Sequence, residues 1–286
     1  MQGQLPFLDS AIKWARTAKL KVMLDLHGAP GSQNGFDNSG KAGSIGWLHG
    51  STVQQTLDAL SKLADHYKGD TDVVTSIAII NEPKGNPLPL KGIADFYTAG
   101  IKAVRAKIPG ITIVVSDAFQ DFSTVWNGQF NDQKSVMVDT HQYQVFDSGQ
   151  LAQSPSQHVK SACALGPKLA AASADKPVIV GEWTGALTDC AKWLNGYGKG
   201  ARYDGTLEGG EGTSGGGKKV GDCKGNDTAN TRAFVEAQLD AYEKGAGWVF
   251  WTWKTEGAAE WSLQDLIANK MFPQPLSDRQ HKGQCG

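Results

Sequence analysis

The chain has 286 residues, 40% of them hydrophobic and 20% charged, with a formal net charge of −1. That is an ordinary globular composition, and it gives no electrostatic basis for binding nucleic acid or an anionic membrane. No apolar run is long enough to span a bilayer. The opening residues Met1-Gln2-Gly3-Gln4-Leu5 have neither a basic nor an apolar stretch, so no signal peptide is read there.

Helical and strand patterns alternate along the chain. Apolar residues Leu5, Leu8, Ile12 and Ala15 recur with a helical period, predicting a helix over 5–19. The run Lys21 to Leu26 predicts a strand ending at His27, followed by a Gly-, Asn- and Ser-rich loop over 28–50. A helix over 51–68 precedes the β-branched run Val73 to Ile80, which leads into Asn81-Glu82-Pro83. A helix over 91–107 leads to a strand at Ile111 to Ser116. A short helical stretch is expected before the strand Ser135 to Thr140, which ends at His141. A helix over 151–173 leads to Pro177-Val178-Ile179-Val180 and then Gly181-Glu182-Trp183. The longest loop, 184–226, contains Gly209-Gly210 and Gly215-Gly216-Gly217. Helix 227–244 precedes a final strand, Gly247 to Trp253.

Six strands separated by helices predict a parallel sheet with right-handed crossovers. Long loops follow strand C-termini (28–50, 184–226, 254–262), as in an α/β barrel with its site on one rim. A doubly wound open sheet is the alternative, weakened by the lack of a Gly-rich phosphate turn after any strand. Six strands are two short of eight, and the first helix has no strand before it. The first two βα units are therefore expected to be absent.

The chemistry centres on Glu82 and Glu182. A carboxylate at the C-terminal end of a barrel strand points into the mouth where barrel active sites lie. A glycosidase needs one carboxylic acid to protonate the leaving oxygen and one carboxylate to attack or to activate water. Asn81 is placed to bond a sugar hydroxyl, and His27 and His141 end other strands. Tyr143 is placed to hold the nucleophile by its hydroxyl. Asp25 and Asp37 are read as secondary to the two glutamates as acids.

Other chemistries lack their motifs. None of the six His forms an HxH or HExxH spacing, so no metal centre is expected, and no cofactor motif is present. No G-x-S-x-G elbow or Walker loop occurs. Nine Trp suit stacking on the apolar faces of sugars, although several serve core filling. Four scattered Cys (Cys163, Cys190, Cys223, Cys285) fit two disulfides in an oxidising compartment, with three connectivities open. The sequon Asn226-Asp227-Thr228 is compatible with secretion.

At several motifs the chain resembles the fungal exo-β-1,3-glucanases of glycoside hydrolase family 5. They are Asp25-Leu26-His27-Gly28-Ala29-Pro30 through Asn38, Asn81-Glu82-Pro83, His141 through Phe146, Gly181-Glu182-Trp183, Asp189 through Gly196, Trp251 through Glu256, and Phe272-Pro273-Gln274-Pro275. The likeness spans 1–286 nearly continuously. It implies a TIM (β/α)₈ barrel of which strands three to eight are present, in a single catalytic domain lacking the family's leading segment. That segment includes a signal peptide, two βα units, a glucose-binding Glu and a strand-end Arg.

The implied enzyme is a retaining, exo-acting hydrolase that releases glucose from the non-reducing ends of β-1,3-glucan, with some transglucosylation. Glu82 resembles the acid/base and Glu182 the nucleophile. His27, Asn81, His141 and Tyr143 match site residues, and Phe36 and Phe146 resemble an aromatic clamp at the entrance. Asp37, Asn195 and Trp253 match glucose-binding positions. The implied disulfides are Cys163–Cys285 and Cys190–Cys223. The family further implies a monomer, located outside the cell or in the cell wall. Two alternatives stand beside this: a non-catalytic truncated barrel that binds glucan weakly, and a relative acting on β-1,6 or mixed β-glucans.

Overall fold

The computed structural model describes residues 3–208, 219–223 and 228–286. The strands follow chain order, β1-β2-β3-β4-β5, in a five-stranded sheet. The described residues form two compact units, 1–139 with 175–177, and 140–174 with 178–286.

The first unit opens with α1 (Leu5–Thr17), where Pro6 occupies the first turn and only Ile12 is buried. Then come β1 (Val22–Asp25), α2 (Thr52–Tyr67), β2 (Val74–Ala78), α3 (Leu90–Arg105), β3 (Thr112–Ser116) and β4 (Val136–Gln142). The strands pair in parallel, with Leu24 opposite Ile77, Ala78 opposite Val114, and Ser116 opposite Asp139. Consecutive β3 residues Ile113, Val114 and Val115 are all buried, so both sheet faces are covered, as parallel sheets require. In α2, Leu60, Ala64 and Tyr67 lie on one buried face. In α3, Gly100 lets the helix lie close to the chain after β2, because a Cβ there would sit 3.0 Å from Ile79 Cδ1.

The second unit holds the end of β4, then α4 (Ser148–Leu151), α5 (Pro155–Cys163), α6 (Leu165–Ala172), β5 (Val178–Trp183), α7 (Thr228–Tyr242) and α8 (Leu263–Ala268). Trp183 is fully buried at the end of β5, with Tyr242, Trp248 and Phe250 packed edge-on around it. Disulfides join Cys163 to Cys285 and Cys190 to Cys223, as the family resemblance implied. No helix among the described residues is long and apolar enough to cross a membrane.

Three expected elements differ. Residues 117–135 form successive turns in place of a short helix. Asp117 and Asp121 accept bonds from backbone amides two residues ahead, and Phe119 and Phe130 take left-handed backbone angles. The expected helix 151–173 is two helices, α5 and α6, preceded by the short α4 that ends at Leu151. Pro155 and a capping box between Ser154 and Gln157 start α5, and a second helix restarts after Ala164. The expected sixth strand, 247–253, registers as one parallel bridge between Val180 and Trp248. Its backbone still tracks β5, with Val249 N donating to Val180 O and Trp251 N to Trp183 O. The sequon's Asn226 and Asp227, and the glycine runs of the 184–226 loop, lie outside the described residues.

Candidate active site

In the first unit the site residues follow the ends of β1 and β2. His27 lies two residues beyond the end of β1, and its Nδ1 is 2.8 Å from Asp25 Oδ2. Its Nε2 faces Asn81 Nδ2 at 3.5 Å. A carboxylate accepts only, so Asp25 holds a proton on Nδ1, and in the neutral ring Nε2 is then the acceptor. Asp25 thus serves His27, a role separate from that of a reaction acid.

Gln33 is fully buried and laces the two strand ends together. Its Nε2 donates to His27 O at 3.0 Å and to Asn81 O at 2.8 Å, while its Oε1 accepts from Ala29 N. Gly28 lets the following loop fold back, since a Cβ there would lie 2.6 Å from Ser39 O. That return brings Asn38 to Glu82, whose Oε2 accepts from Asn38 Nδ2 at 3.1 Å. Glu82 is buried and has φ +45°, a left-handed conformation that costs an L-residue about 1–2 kcal/mol. Strain of this kind concentrates at functional sites. Asp37 is exposed and begins a 3-10 turn, Asp37–Ser39, whose last residue is buried. Phe36 is exposed and packs edge-on against Phe119 at 6.0 Å between centroids.

In the second unit, His141 lies inside the end of β4 and Glu182 inside β5, so each strand runs slightly past its expected end. Tyr143 Oη donates to Glu182 Oε2 at 2.7 Å. His141 Nδ1 stands 3.4 Å from the same oxygen. Two groups therefore converge on one carboxylate oxygen. The Tyr143 ring packs edge-on against Phe146 and lies at 30° to buried Trp261, at 5.4 Å in each case. Phe146 keeps 43% of its surface exposed. The segment carrying Trp261 is anchored beside Glu182, because Glu260 O accepts from Thr184 Oγ1 and Gly185 N. Burial pushes the Glu260 carboxyl above the usual carboxylate range.

Of the expected glucose contacts in the second unit, Asn195 is tied into its own loop and Trp253 is exposed. Asn195 donates to Asp189 Oδ2 and Gly200 O and accepts from Arg202, so its amide braces its own loop. Trp253 is exposed, whereas Trp251 is the tryptophan whose backbone is bonded to β5 directly after Glu182. Trp251, Asn38 and Gln33 were passed over in the sequence as site residues. All three lie within the motifs that carried the family resemblance, and that was the available signal.

Residues 3–199 match the family model described as Cellulase (glycosyl hydrolase family 5). The chain belongs to glycosyl hydrolase family 5. This family 5 chain is 51% identical over 290 residues to the probable glucan 1,3-beta-glucosidase A of Emericella nidulans, covering 100% of this chain and 71% of that one. It is 52% identical over 296 residues to the glucan 1,3-beta-glucosidase of Blumeria graminis, covering 100% and 68%. Among solved structures it resembles the rutinosidase from Aspergillus niger, with a TM-score of 0.66 at 17% identity, covering 90% of this chain and 68% of that one. That last likeness concerns the fold alone.

Proposed function

We propose that this chain is a retaining glycoside hydrolase that releases glucose from the non-reducing ends of β-1,3-glucan by double displacement. Its relatives' names point to that linkage, and membership of family 5 supports the reaction type. The observation that carries the reading is the convergence of Tyr143 Oη and His141 Nδ1 on Glu182 Oε2. A carboxylate gripped at one oxygen by a hydroxyl and an imidazole is fixed in position, oriented as a nucleophile must be.

Glu182 then attacks the anomeric carbon while Glu82 gives its proton to the glycosidic oxygen, so the glucan leaves as an alcohol and a glucosyl ester forms. Glu82, now ionised, takes a proton from water as that water attacks the same carbon. Glucose departs and both glutamates return to their starting states. A sugar hydroxyl in place of water gives transglucosylation. His27 and Asn81 face one another beside Glu82 and are suited to bind glucose hydroxyls. Phe36 and Phe146 offer exposed aromatic faces to the incoming sugar. Asp37 and Trp253 provide further sugar contacts, and Asn195 acts through its loop.

Residues 1–286 are read as one catalytic domain, acting as a monomer on a neutral polysaccharide. Two disulfides favour an oxidising compartment, in keeping with work outside the cell or in its wall.

The test is Glu182→Gln and Glu82→Gln in this chain, assayed on laminarin and on an aryl β-glucoside. Glu182→Gln is expected to release no glucose from either. Glu82→Gln should retain more activity on the aryl glucoside, whose leaving group needs less protonation. Full turnover by Glu182→Gln overturns the assignment, and faster release from pustulan than from laminarin would move the linkage to β-1,6.

A further inference from the structure

We propose that Trp193 and Tyr197, on the loop after β5, form a second glucan-binding site separate from the catalytic residues. This site rests on the reading of the substrate as a β-glucan. Trp193 is 56% exposed and Tyr197 85% exposed. Their rings form a tilted pair with centroids 5.5 Å apart and planes inclined at 35°. Lys192 Nζ lies over the Trp193 ring, 4.4 Å from its centroid, a cation–π contact on one face of the indole.

The loop that carries the pair is fixed from beneath. Asp189 is fully buried and accepts from Asn195 Nδ2, Arg202 N, Arg202 Nη1 and Tyr203 N at 2.8–3.3 Å. Cys190, the next residue, is bridged to Cys223. Ala191, Leu194 and Tyr203 pack against the buried cluster of Val145, Leu151, Ala186 and Trp261. Trp193 lies in sequence between two of these inward-facing residues, has φ +66° and is exposed. The loop therefore buries its neighbours and holds two rings in water.

Such a pair suits one kind of occupant. A β-glucosyl ring has an apolar C–H face that stacks on an indole or phenol ring and a rim of hydroxyls that needs polar neighbours. Lys192, over one face of the indole, supplies a donor close to the pair. Two rings are too small a surface for a stable protein partner, which needs about 800 Å² on each side. A rigid, preorganised pair suits a ligand that brings little binding energy per sugar. The loop starts at the strand that carries Glu182, so a polymer held here is tethered to the chain that cleaves its ends.

The test is electrophoresis of the Glu182→Gln chain through gels containing laminarin. Retardation by laminarin is expected, and Trp193→Ala with Tyr197→Ala should weaken the apparent affinity roughly tenfold, as for the loss of a stacking contact. Tyr197→Ala alone should weaken it in part, and Tyr197→Phe should restore it, since stacking needs the ring and not the hydroxyl. Because Tyr197 touches little else, this pair of variants separates binding from folding. Retardation that is unchanged in the double variant, or absent from the starting chain, overturns the site. Glucose release from laminarin by Glu182→Gln would instead overturn the catalytic assignment and leave this site standing.

Discussion

Tyr143 Oη donates a 2.7 Å hydrogen bond to Glu182 Oε2, joining a residue just beyond β4 to a residue inside β5. A hydrogen bond to a charged group contributes about 1.5–3 kcal/mol. Tyr143→Phe removes that bond and keeps the ring against Phe146 and Trp261. The expected result is a fall in kcat of roughly 10- to 150-fold on an aryl β-glucoside. The melting temperature should fall by only a few degrees, about 2–4 °C for each kcal/mol lost, with the fold retained. Wild-type kcat in the Phe variant would show that the hydroxyl does not orient the nucleophile.

Asp25 and His27 provide a second handle on the chemistry. With the carboxylate 2.8 Å from Nδ1, the ring keeps its proton there and presents Nε2 toward Asn81. Asp25→Asn lets the amide meet Nδ1 through either its oxygen or its nitrogen, so both tautomers become accessible. Nitrogen-15 NMR of labelled histidine should show a single Nδ1–H tautomer in the parent chain and a mixture in the variant. The accompanying loss in kcat/KM is expected to be about tenfold, the scale of losing one well-oriented polar partner. One unchanged tautomer in Asp25→Asn would assign the ring's orientation to Gln33 and the backbone instead.

The strands that frame these residues were legible because β-branched runs such as Val73 to Ile80 end in polar residues and breakers such as Pro83. The paired glutamates could be found by the same reading, since strand ends are local features. Gln33 and Asn38 could not. Their partners, Asn81 and Glu82, lie more than forty residues away in sequence, and only the loop's return over Gly28 brings them together. Asp25 was read as a lesser acid because its type was visible and its partner was not. The break at Pro155 was legible in principle, as Ser154-Pro155-Ser156-Gln157 spells a helix start. The last strand was over-read. Its aromatic residues Trp248 and Phe250 satisfy strand propensity, but they pack around Trp183, and ladder pairing is limited to one bridge.

The two disulfides should differ in their effect on stability. Cys163–Cys285 closes a separation of 122 residues and Cys190–Cys223 one of 33. On the chain-entropy account these correspond to about 4.9 and about 3.7 kcal/mol taken from the unfolded state. Cys285→Ser is therefore expected to lower the urea midpoint more than Cys223→Ser. Cys223→Ser should act additionally on the loop below Trp193, raising its proteolytic sensitivity at a given stability. An equal or reversed order of midpoints would place the stabilisation in native packing and not in loop closure.

Glu236 links stability to pH. Its side chain is fully buried in α7. Burial alone pushes its pKa up, but the backbone amides of Gln280 and His281, at 2.9 and 2.6 Å, and the Arg232 guanidinium more than offset this. The group is held below the ordinary carboxylate range. Its stabilisation is therefore complete above the unfolded value, near 4.5, and is lost as pH falls through the lower folded value. The same arginine donates to Lys270 O and Asp278 O, so the charge pair fastens residues 270–281 onto α7. Glu236→Gln leaves Arg232 buried without its counter-charge and is expected to cost about 3–5 kcal/mol at pH 7. Urea unfolding from pH 7 to pH 3 should show a large gap between parent and variant at neutrality. That gap should narrow below pH 4.5 as the parent's own carboxylate becomes protonated. A gap that stays constant across this range would mean that the buried charge contributes nothing and that the tail is held by packing and the Cys163–Cys285 bridge alone.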